Sequence, residues 1–382
     1  MIKRILYRVG YFSPIRFFFL LSLFSVSLFG CATQEKQPPP TLTQERGSSE
    51  KAKRCYNNGY EYLKNRMFED AISNFNCAIE ESTTFTDAYI GLAQAYMEKT
   101  NWEMAESIYH KGLTNLPKEP KLYFGMGYLY HQMGRQEEAI QAYRKGIGVV
   151  PEDPKGYRNL GGLFEELERW DEASQEYLKA RTLEPQNLDD NRSLARVYLG
   201  KKDYPSAIRE LLIVKERDPG DVKARSLLGV AFLESKVYSK AIEEFTYVSQ
   251  GQPESGEVHL SLGRCYLGLK SFRNAEKELK EAISLNPKDA EPRYYLIQAL
   301  MDGKQFASAS KEIEDALKLD LKDHTPFLVA RGDLHFEKEE YEKAIQIYKG
   351  IQTDPSWKEY IQTQIKRAEA RIEMKRIEEE GF

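Results

Sequence analysis

Cysteine, histidine and tryptophan are scarce in this chain, which has four cysteines, five histidines and three tryptophans among 382 residues. The histidines and cysteines show neither the His-x-x-x-His nor the Cys-x-x-Cys spacing of common metal sites. The sequence also contains no nucleophile elbow and no phosphate-binding loop. We therefore expect no cofactor, no metal and no catalytic residues, and we predict that the protein is not an enzyme.

An excess of positive charge is also missing. The 55 lysines and arginines are outnumbered by 59 aspartates and glutamates, which gives a formal net charge of −4. Proteins that bind nucleic acid without a local motif rely on a basic surface, so we expect no nucleic-acid partner.

Long hydrophobic runs are limited to one, over residues 17–29, which is shorter than the ~20 apolar residues of a membrane span. It follows four basic residues, Lys3, Arg4, Arg8 and Arg16. A basic segment followed by a short apolar run is typical of a secretory signal, predicted here over residues 1–30. On this pattern alone, the segment is either an ordinary secretory signal or a short anchor that is not cleaved.

The end of this run resembles the lipobox of bacterial lipoproteins, since Leu28, Phe29 and Gly30 precede Cys31. The resemblance implies lipidation of Cys31 and a membrane anchor in a bacterial cell envelope. Ala32 is not the aspartate that retains such proteins, which favours the outer membrane, on the periplasmic face or at the cell surface. Residues 31–51 are polar and rich in proline, and we predict a disordered linker there.

A period of 34 residues organises the rest of the chain. Eight alanines follow one another at this spacing, and a ninth follows after 35 residues: Ala71, Ala105, Ala139, Ala173, Ala207, Ala241, Ala275, Ala309 and Ala344. Four residues after the first eight of these stands a large apolar or aromatic residue. Twelve residues before them stands a glycine or alanine, except at Ile297. Because these spacings follow a helical face and not a strand, each unit is predicted to be helix–turn–helix.

Six prolines, from Pro117 to Pro287, recur twelve residues after the alanines and end the units. Small, aromatic and terminal proline positions at this period resemble the tetratricopeptide repeat. The resemblance implies an all-α fold, an α-solenoid wound as a right-handed superhelix. We predict eight repeats over residues 52–323, a ninth over 324–358 and a C-terminal capping helix over 359–382. The extra residue and the missing proline make residues 319–325 the expected irregular joint. This joint is either a hinge or a repeat that has lost its consensus residues, and the second interpretation is favoured.

The C-terminal segment carries a narrow apolar stripe made of Ile361, Ile365, Ala368 and Ile372. We expect this helix to cover the last repeat; a coiled-coil seam is the alternative. Near the other end, Cys55 and Cys77 lie on the two helices of the first repeat. The sequence favours buried thiols at these two positions, with a disulfide as the alternative.

The tetratricopeptide resemblance implies that first helices line a concave groove that binds protein or peptide partners. The residues expected to point into it are Tyr56, Tyr60, Phe124, Tyr128, Lys155, Arg158, Asn159, Arg192, Arg196 and Arg264. The aromatic residues would contact apolar side chains, and Arg158, Arg192 and Arg196 would bind a carboxylate. The predicted function is a membrane-tethered scaffold that assembles or localises an envelope complex. Recruitment or regulation of a cell-wall enzyme, and binding of host or glycan ligands at the cell surface, are the alternatives.

Overall fold

The structure is a computed structural model that describes residues 49–351 and 355–380, with side chains given up to residue 351 and from residue 357 onward. Over these residues the chain forms 19 α-helices and no strand. The first ten are α1 (Glu50–Lys64), α2 (Phe68–Glu81), α3 (Thr86–Glu98), α4 (Trp102–Asn115), α5 (Pro120–Gln132), α6 (Gln136–Val149), α7 (Pro154–Glu166), α8 (Trp170–Leu183), α9 (Leu188–Gly200) and α10 (Tyr204–Arg217). The others are α11 (Val222–Glu234), α12 (Tyr238–Gly251), α13 (Gly256–Gly268), α14 (Phe272–Leu285), α15 (Ala290–Asp302), α16 (Phe306–Leu317), α17 (Thr325–Glu337), α18 (Tyr341–Gly350) and α19 (Pro355–Glu379).

The described residues divide into two compact units, and the division falls between Val214 and Lys215, inside α10. The N-terminal unit contains α1 to α9 and most of α10, which are five helix pairs. The C-terminal unit contains α11 to α18, which are four pairs, and α19. Within each unit consecutive helices pack as pairs and successive pairs stack, so each is an all-α solenoid, as predicted.

The alanine ladder lies at the centre of every helix pair. All nine alanines have no exposed surface, and the large residues four positions later are buried as well. A Cβ atom added to Gly127 would lie 2.8 Å from the ring of Tyr143, and one added to Gly229 would lie 2.8 Å from the ring of Phe245. The small position therefore receives the large side chain of its own second helix, which explains why the two columns repeat together.

The eighth repeat fills the same space with different residues. Ile297 stands at the small position and Ile313 at the large position, and neither has exposed surface. A larger residue on the first helix is thus matched by a smaller, branched residue on the second, which preserves the packed volume.

The turn inside each repeat contains one residue with left-handed backbone geometry. This residue also recurs every 34 residues up to Lys304, and its φ angle lies between 54° and 72°: Arg66, Thr100, Gly134, Glu168, Lys202, Lys236, Lys270, Lys304 and Glu339. Glycine adopts this geometry without a steric cost, and Gly134 is the one glycine in the series.

The joint between the eighth and ninth repeats is longer than the others. Helix α16 ends at Leu317 and α17 begins at Thr325, which leaves seven residues, 318–324, where the loop between α4 and α5 has only four, 116–119. The irregular joint predicted at residues 319–325 is confirmed.

Helix α19 covers the last repeat through its apolar stripe. Ile361 and Ala368 are buried, Ile365 and Ile372 are partly buried, and Trp357 adds a further buried ring. The capping prediction is confirmed, although the helix begins at residue 355, four residues earlier than predicted.

The N-terminal end departs from the sequence interpretation in two ways. Cys55 and Cys77 form a disulfide with a Cα–Cα distance of 5.9 Å, so the favoured interpretation of buried thiols is wrong. Facing positions on two antiparallel helices bring the two sulfur atoms together. Helix α1 begins at Glu50 and is capped by the hydroxyl of Ser49, so the last two residues of the predicted linker are helical.

The predicted signal peptide, Cys31 and residues 31–48 of the linker lie outside the described residues. Where the structure does describe the chain, no helix has both the length and the apolar character that a membrane span requires.

Candidate functional site

The candidate site is the face of the N-terminal unit formed by its first helices, α1, α3, α5, α7 and α9. In every repeat the second helix is anchored by its buried alanine and large residue, while the first helix keeps residues that do not repeat. Tyr60, Gln94 and Tyr128 occupy the same position in three successive repeats, and each is partly exposed. At this position the repeats differ from one another while the packing columns stay constant.

A cavity of about 330 Å³ opens on this face between α3 and α5. Its walls are mainly apolar and aromatic, with two glutamines and one glutamate: Ile90, Gln94, Met97, Glu98, Thr100, Trp102, Tyr109, Tyr128 and Gln132. Of the residues predicted to bind a peptide, Tyr128 is the one that lines it.

The floor of the cavity is shaped by a close approach between Tyr109 and Gly125. A Cβ atom on Gly125 would lie 2.6 Å from the Tyr109 hydroxyl oxygen, so any larger residue would push the ring away. Burial, with a smaller contribution from Tyr128, raises the pKa of Tyr109 well above its usual range. Tyr109 is therefore a neutral, fixed wall of the cavity at physiological pH.

Two aromatic residues that were predicted to line the groove belong to the core instead. Tyr56 is 2% exposed and packs between the rings of Phe75 and Phe85, at centroid distances of 5.8 and 5.0 Å. Phe124 is 6% exposed, and its ring lies where a side chain at Gly146 would otherwise stand. The groove assignment of both residues is wrong because helix packing uses their surface.

The three arginines predicted to bind a carboxylate are paired within the chain. Arg158 contacts Asp190 through Nε at 2.7 Å and Glu184 through a terminal nitrogen at 2.5 Å. Arg192 pairs with Asp189 on its own helix. Both arginines are thus engaged with acids of the chain itself, and their binding of a ligand carboxylate stays a prediction.

Arg196 belongs to a network that joins two repeats. Its guanidinium contacts both carboxylate oxygens of Glu165, at 2.7 and 3.1 Å, and the hydroxyl of Tyr177 donates to the same carboxylate at 2.8 Å. Glu165 and Tyr177 are buried. Arg196 therefore neutralises a buried acid, and its carboxylate-binding role is corrected to a structural one.

Three further predicted residues keep accessible surface on the first-helix face. Lys155 is exposed, and Tyr60 and Asn159 are partly exposed. Their part in ligand binding stays a prediction.

In the C-terminal unit, Arg264 pairs with Glu234 at 2.9 Å and lies 5.3 Å from the centre of the Tyr295 ring. Glu291 lies nearby, and one of its carboxylate oxygens is buried without a hydrogen-bond partner among the described residues. Burial raises the pKa of Glu291 to about 7, while Arg264 opposes the shift. Arg264 is thus engaged with the acids of its own unit.

Most residues that line the cavity are not among those predicted from the sequence. Gln94 stands 34 residues before Tyr128, so the repeat register could have identified it. Trp102 stands three residues before Ala105, at a position that is aromatic in most repeats, so the register gives it no special role. Only the arrangement of the helices leaves one side of its ring accessible.

These features define an interaction scaffold built from helix pairs, in which packing columns are constant and one helical face varies. Sequence models of the tetratricopeptide repeat match residues 88–121, 127–168, 192–249 and 268–328. The chain belongs to the tetratricopeptide repeat proteins, whose repeats typically bind protein or peptide partners.

Several solved structures are similar to this chain. PilF of Pseudomonas aeruginosa is 20% identical with a TM-score of 0.47, over 56% of this chain and 97% of PilF. YrrB, described as a protein with an unusual peptide-binding site, is 20% identical with a TM-score of 0.43, over 48% and 95% of the two chains. A repeat protein from Parabacteroides merdae is 14% identical with a TM-score of 0.46, over 66% and 100%. No curated protein sequence matches the chain.

Proposed function

We propose that this protein is a lipid-anchored scaffold of a bacterial envelope, which binds partner proteins through its first helices and holds them at a membrane. The observation that carries the proposal is the disulfide between Cys55 and Cys77. Disulfides persist in oxidising compartments such as the periplasm and are rare in the cytosol. The export signal and the lipidation of Cys31 that are predicted from the sequence require the same location.

The disulfide also suits the position of the first repeat. Helix α1 has no preceding repeat in the described chain to cover it, and the bond ties it to α2. The two cysteines are 22 residues apart in sequence. A disulfide across a segment of this length lowers the chain entropy of the unfolded state and so stabilises the folded state by about 3 kcal/mol. The bond would keep the end of the array folded where no cytosolic chaperone acts.

Counting reactive thiols tests both covalent parts of the proposal. The chain has four cysteines, and Cys265 is a free buried thiol. Protein taken from cells, denatured and treated with a maleimide polymer should gain one adduct before reduction and three after it. The lipidated sulfur of Cys31 is a thioether and does not react. Four adducts before reduction would mean that no disulfide has formed, which would contradict export to an oxidising compartment. A fourth adduct that appears after reduction would mean that Cys31 is a free thiol, which would contradict lipidation.

Fractionation of a Cys31→Ala variant tests the anchor separately. We expect the wild type in the membrane fraction and the variant in the soluble fraction, at equal expression. A variant that stays with the membranes would show that the anchor is not a lipid on Cys31.

The partner-binding face can be tested with a matched pair of charge reversals. Lys155 is exposed on first helix α7, and Lys145 is exposed on second helix α6. Cross-linking in cells followed by purification should recover fewer partners with Lys155→Glu than with wild type, and equal amounts with Lys145→Glu. Equal loss in both variants would point to net charge, and no loss in either would remove Lys155 from the binding face.

A further inference from the structure

The cavity between α3 and α5 has the size of a subsite for one side chain. Its volume of about 330 Å³ lies at the lower end of the ~300–1,000 Å³ range of ligand pockets. Dry cavities of about 150 Å³ hold benzene, so this space accepts a phenyl or indole ring together with its linking atoms.

The chemistry of the walls selects an apolar and preferably aromatic occupant. Ile90 and Met97 come from α3, and Trp102 begins α4. A methionine thioether makes favourable contacts with aromatic rings, and its flexible side chain adapts to different ring shapes. Tyr109 closes the floor in a fixed orientation, because Gly125 packs directly on its hydroxyl.

Two carboxamides border the cavity from opposite helices, Gln94 on α3 and Gln132 on α5. Within the described part of the chain, neither side chain has a hydrogen-bond partner. A carboxamide offers both a donor and an acceptor, which matches the N–H and C=O groups of an extended peptide. The pair can therefore bind the backbone on either side of an inserted side chain.

The charge at the cavity favours a ligand with positive charge. Glu98 is the single ionisable acid or base among the lining residues, apart from the tyrosines, and the lining has no lysine or arginine. A carboxylate next to the inserted ring would meet like charge, whereas a lysine or arginine would meet opposite charge.

We infer that this cavity binds one large apolar side chain, preferably aromatic, of an extended partner peptide that has basic residues beside it. The inference rests on the proposed function and names the partner chemistry that the first-helix face selects. Gln94 and Gln132 bind the peptide backbone, Met97 and Trp102 contact the ring, and Glu98 attracts the neighbouring cation.

Methyl NMR of the full chain with three short peptides tests the inference. The probes are acetyl-Ala-Lys-Phe-Lys-Ala-amide, the same peptide with alanine in place of phenylalanine, and the same peptide with glutamates in place of both lysines. The methyl groups of Met97 and Ile90 report on the cavity. We expect saturable shifts with the first peptide, none with the second, and binding at least fivefold weaker with the third.

A cavity-filling variant and its matched control complete the test. Gln94→Phe places a ring in the space and should abolish the shifts, whereas Gln141→Phe, at an exposed position of α6, should leave them unchanged. Equal shifts with the alanine peptide, or binding that survives Gln94→Phe, would overturn the inference. If the peptides fail while partner recovery still depends on Lys155, the proposed function stands and the cavity assignment is wrong.

Discussion

Tyr360 of the C-terminal helix donates hydrogen bonds to Asp333 of the last repeat, at 3.0 Å from each carboxylate oxygen. Tyr348 donates to the same carboxylate at 2.5 Å. One acid thus joins α17, α18 and α19. The stripe of apolar residues brings α19 to the last repeat, and these hydrogen bonds fix its orientation there.

Replacing Tyr360 with phenylalanine should loosen the C-terminal helix. The change removes hydrogen bonds to a carboxylate while keeping the ring, and we expect a loss of about 1–2 kcal/mol in the free energy of unfolding. Hydrogen exchange of the α19 amides would show faster opening. Tyr157→Phe is the control, since the Tyr157 hydroxyl donates to the Pro151 carbonyl at a more exposed site. Equal effects in both variants would contradict a special role for Asp333.

The same carboxyl group should make stability depend on pH. Burial raises the pKa of Asp333 from 3.8 to about 6, although the two tyrosines oppose the shift. Between pH 4 and 6 the folded state then binds more protons than the unfolded state, so the free energy of unfolding falls as pH rises. Asp333→Asn should remove this contribution to the pH dependence. Urea titrations at several pH values between 4 and 6 would measure it.

The stability of Asp333→Asn has to be compared with that of wild type at each pH, because Glu291 also makes the free energy of unfolding fall as pH rises. Burial raises the pKa of Glu291 to about 7, and its contribution falls between about pH 4.5 and 7. Glu340 acts in the opposite direction, since hydrogen bonds from Lys343 and His335 lower its pKa to about 2. The free energy of unfolding of the variant minus that of wild type should rise with pH between 4 and 6. A difference that does not change with pH would contradict the assignment to Asp333.

The small position is alanine at Ala93 and Ala195, but the ring that faces Gly127 leaves no room for a methyl group there. Gly127→Ala places a Cβ atom 2.8 Å from the Tyr143 ring and should lower the free energy of unfolding by about 1–3 kcal/mol. Gly148→Ala on the same helix pair meets no atom within 4 Å and should stabilise by about 0.5–1 kcal/mol. Adding Tyr143→Leu to Gly127→Ala should restore part of the loss, since Ala195 and Leu211 already pair this way and are both buried.

The network at Glu165 should depend on its positive partner. Arg196→Met leaves a buried carboxylate with only the Tyr177 hydroxyl, and we expect a loss of about 3 kcal/mol in urea unfolding. Adding Glu165→Gln should recover much of that loss, because an amide carries no charge to neutralise. If the double variant is no more stable than Arg196→Met, the contribution of Arg196 is packing and not charge.

The disulfide should stabilise the first repeat in particular. Reducing agent should lower the unfolding free energy of wild type by about 3 kcal/mol and leave a Cys55→Ser, Cys77→Ser double variant unchanged. Proteolysis of the reduced protein should begin within α1 and α2. First cleavage elsewhere would show that the bond does not limit the opening of this end.

The repeat register could be derived from the sequence because it reflects local physics. Small and large residues at helical spacing leave one way to pack a helix pair, and nine buried alanines follow that rule. The same regularity located the irregular joint, where the register slips by one residue. Tyr56 and Phe124 were assigned to the groove because position in a repeat does not determine whether neighbouring helices cover a ring.

By itself, the sequence determined the helix pairs, their number, the irregular joint and the capping helix, because each depends on residues close together in one repeating pattern. Only the tertiary structure decided that Arg158 and Arg196 are paired, that Cys55 meets Cys77, and that Trp102 and Tyr128 share a cavity. These facts depend on which side chains of different repeats lie within reach of one another. Distances between repeats follow from the stacking of helices, which the order of residues along the chain does not state.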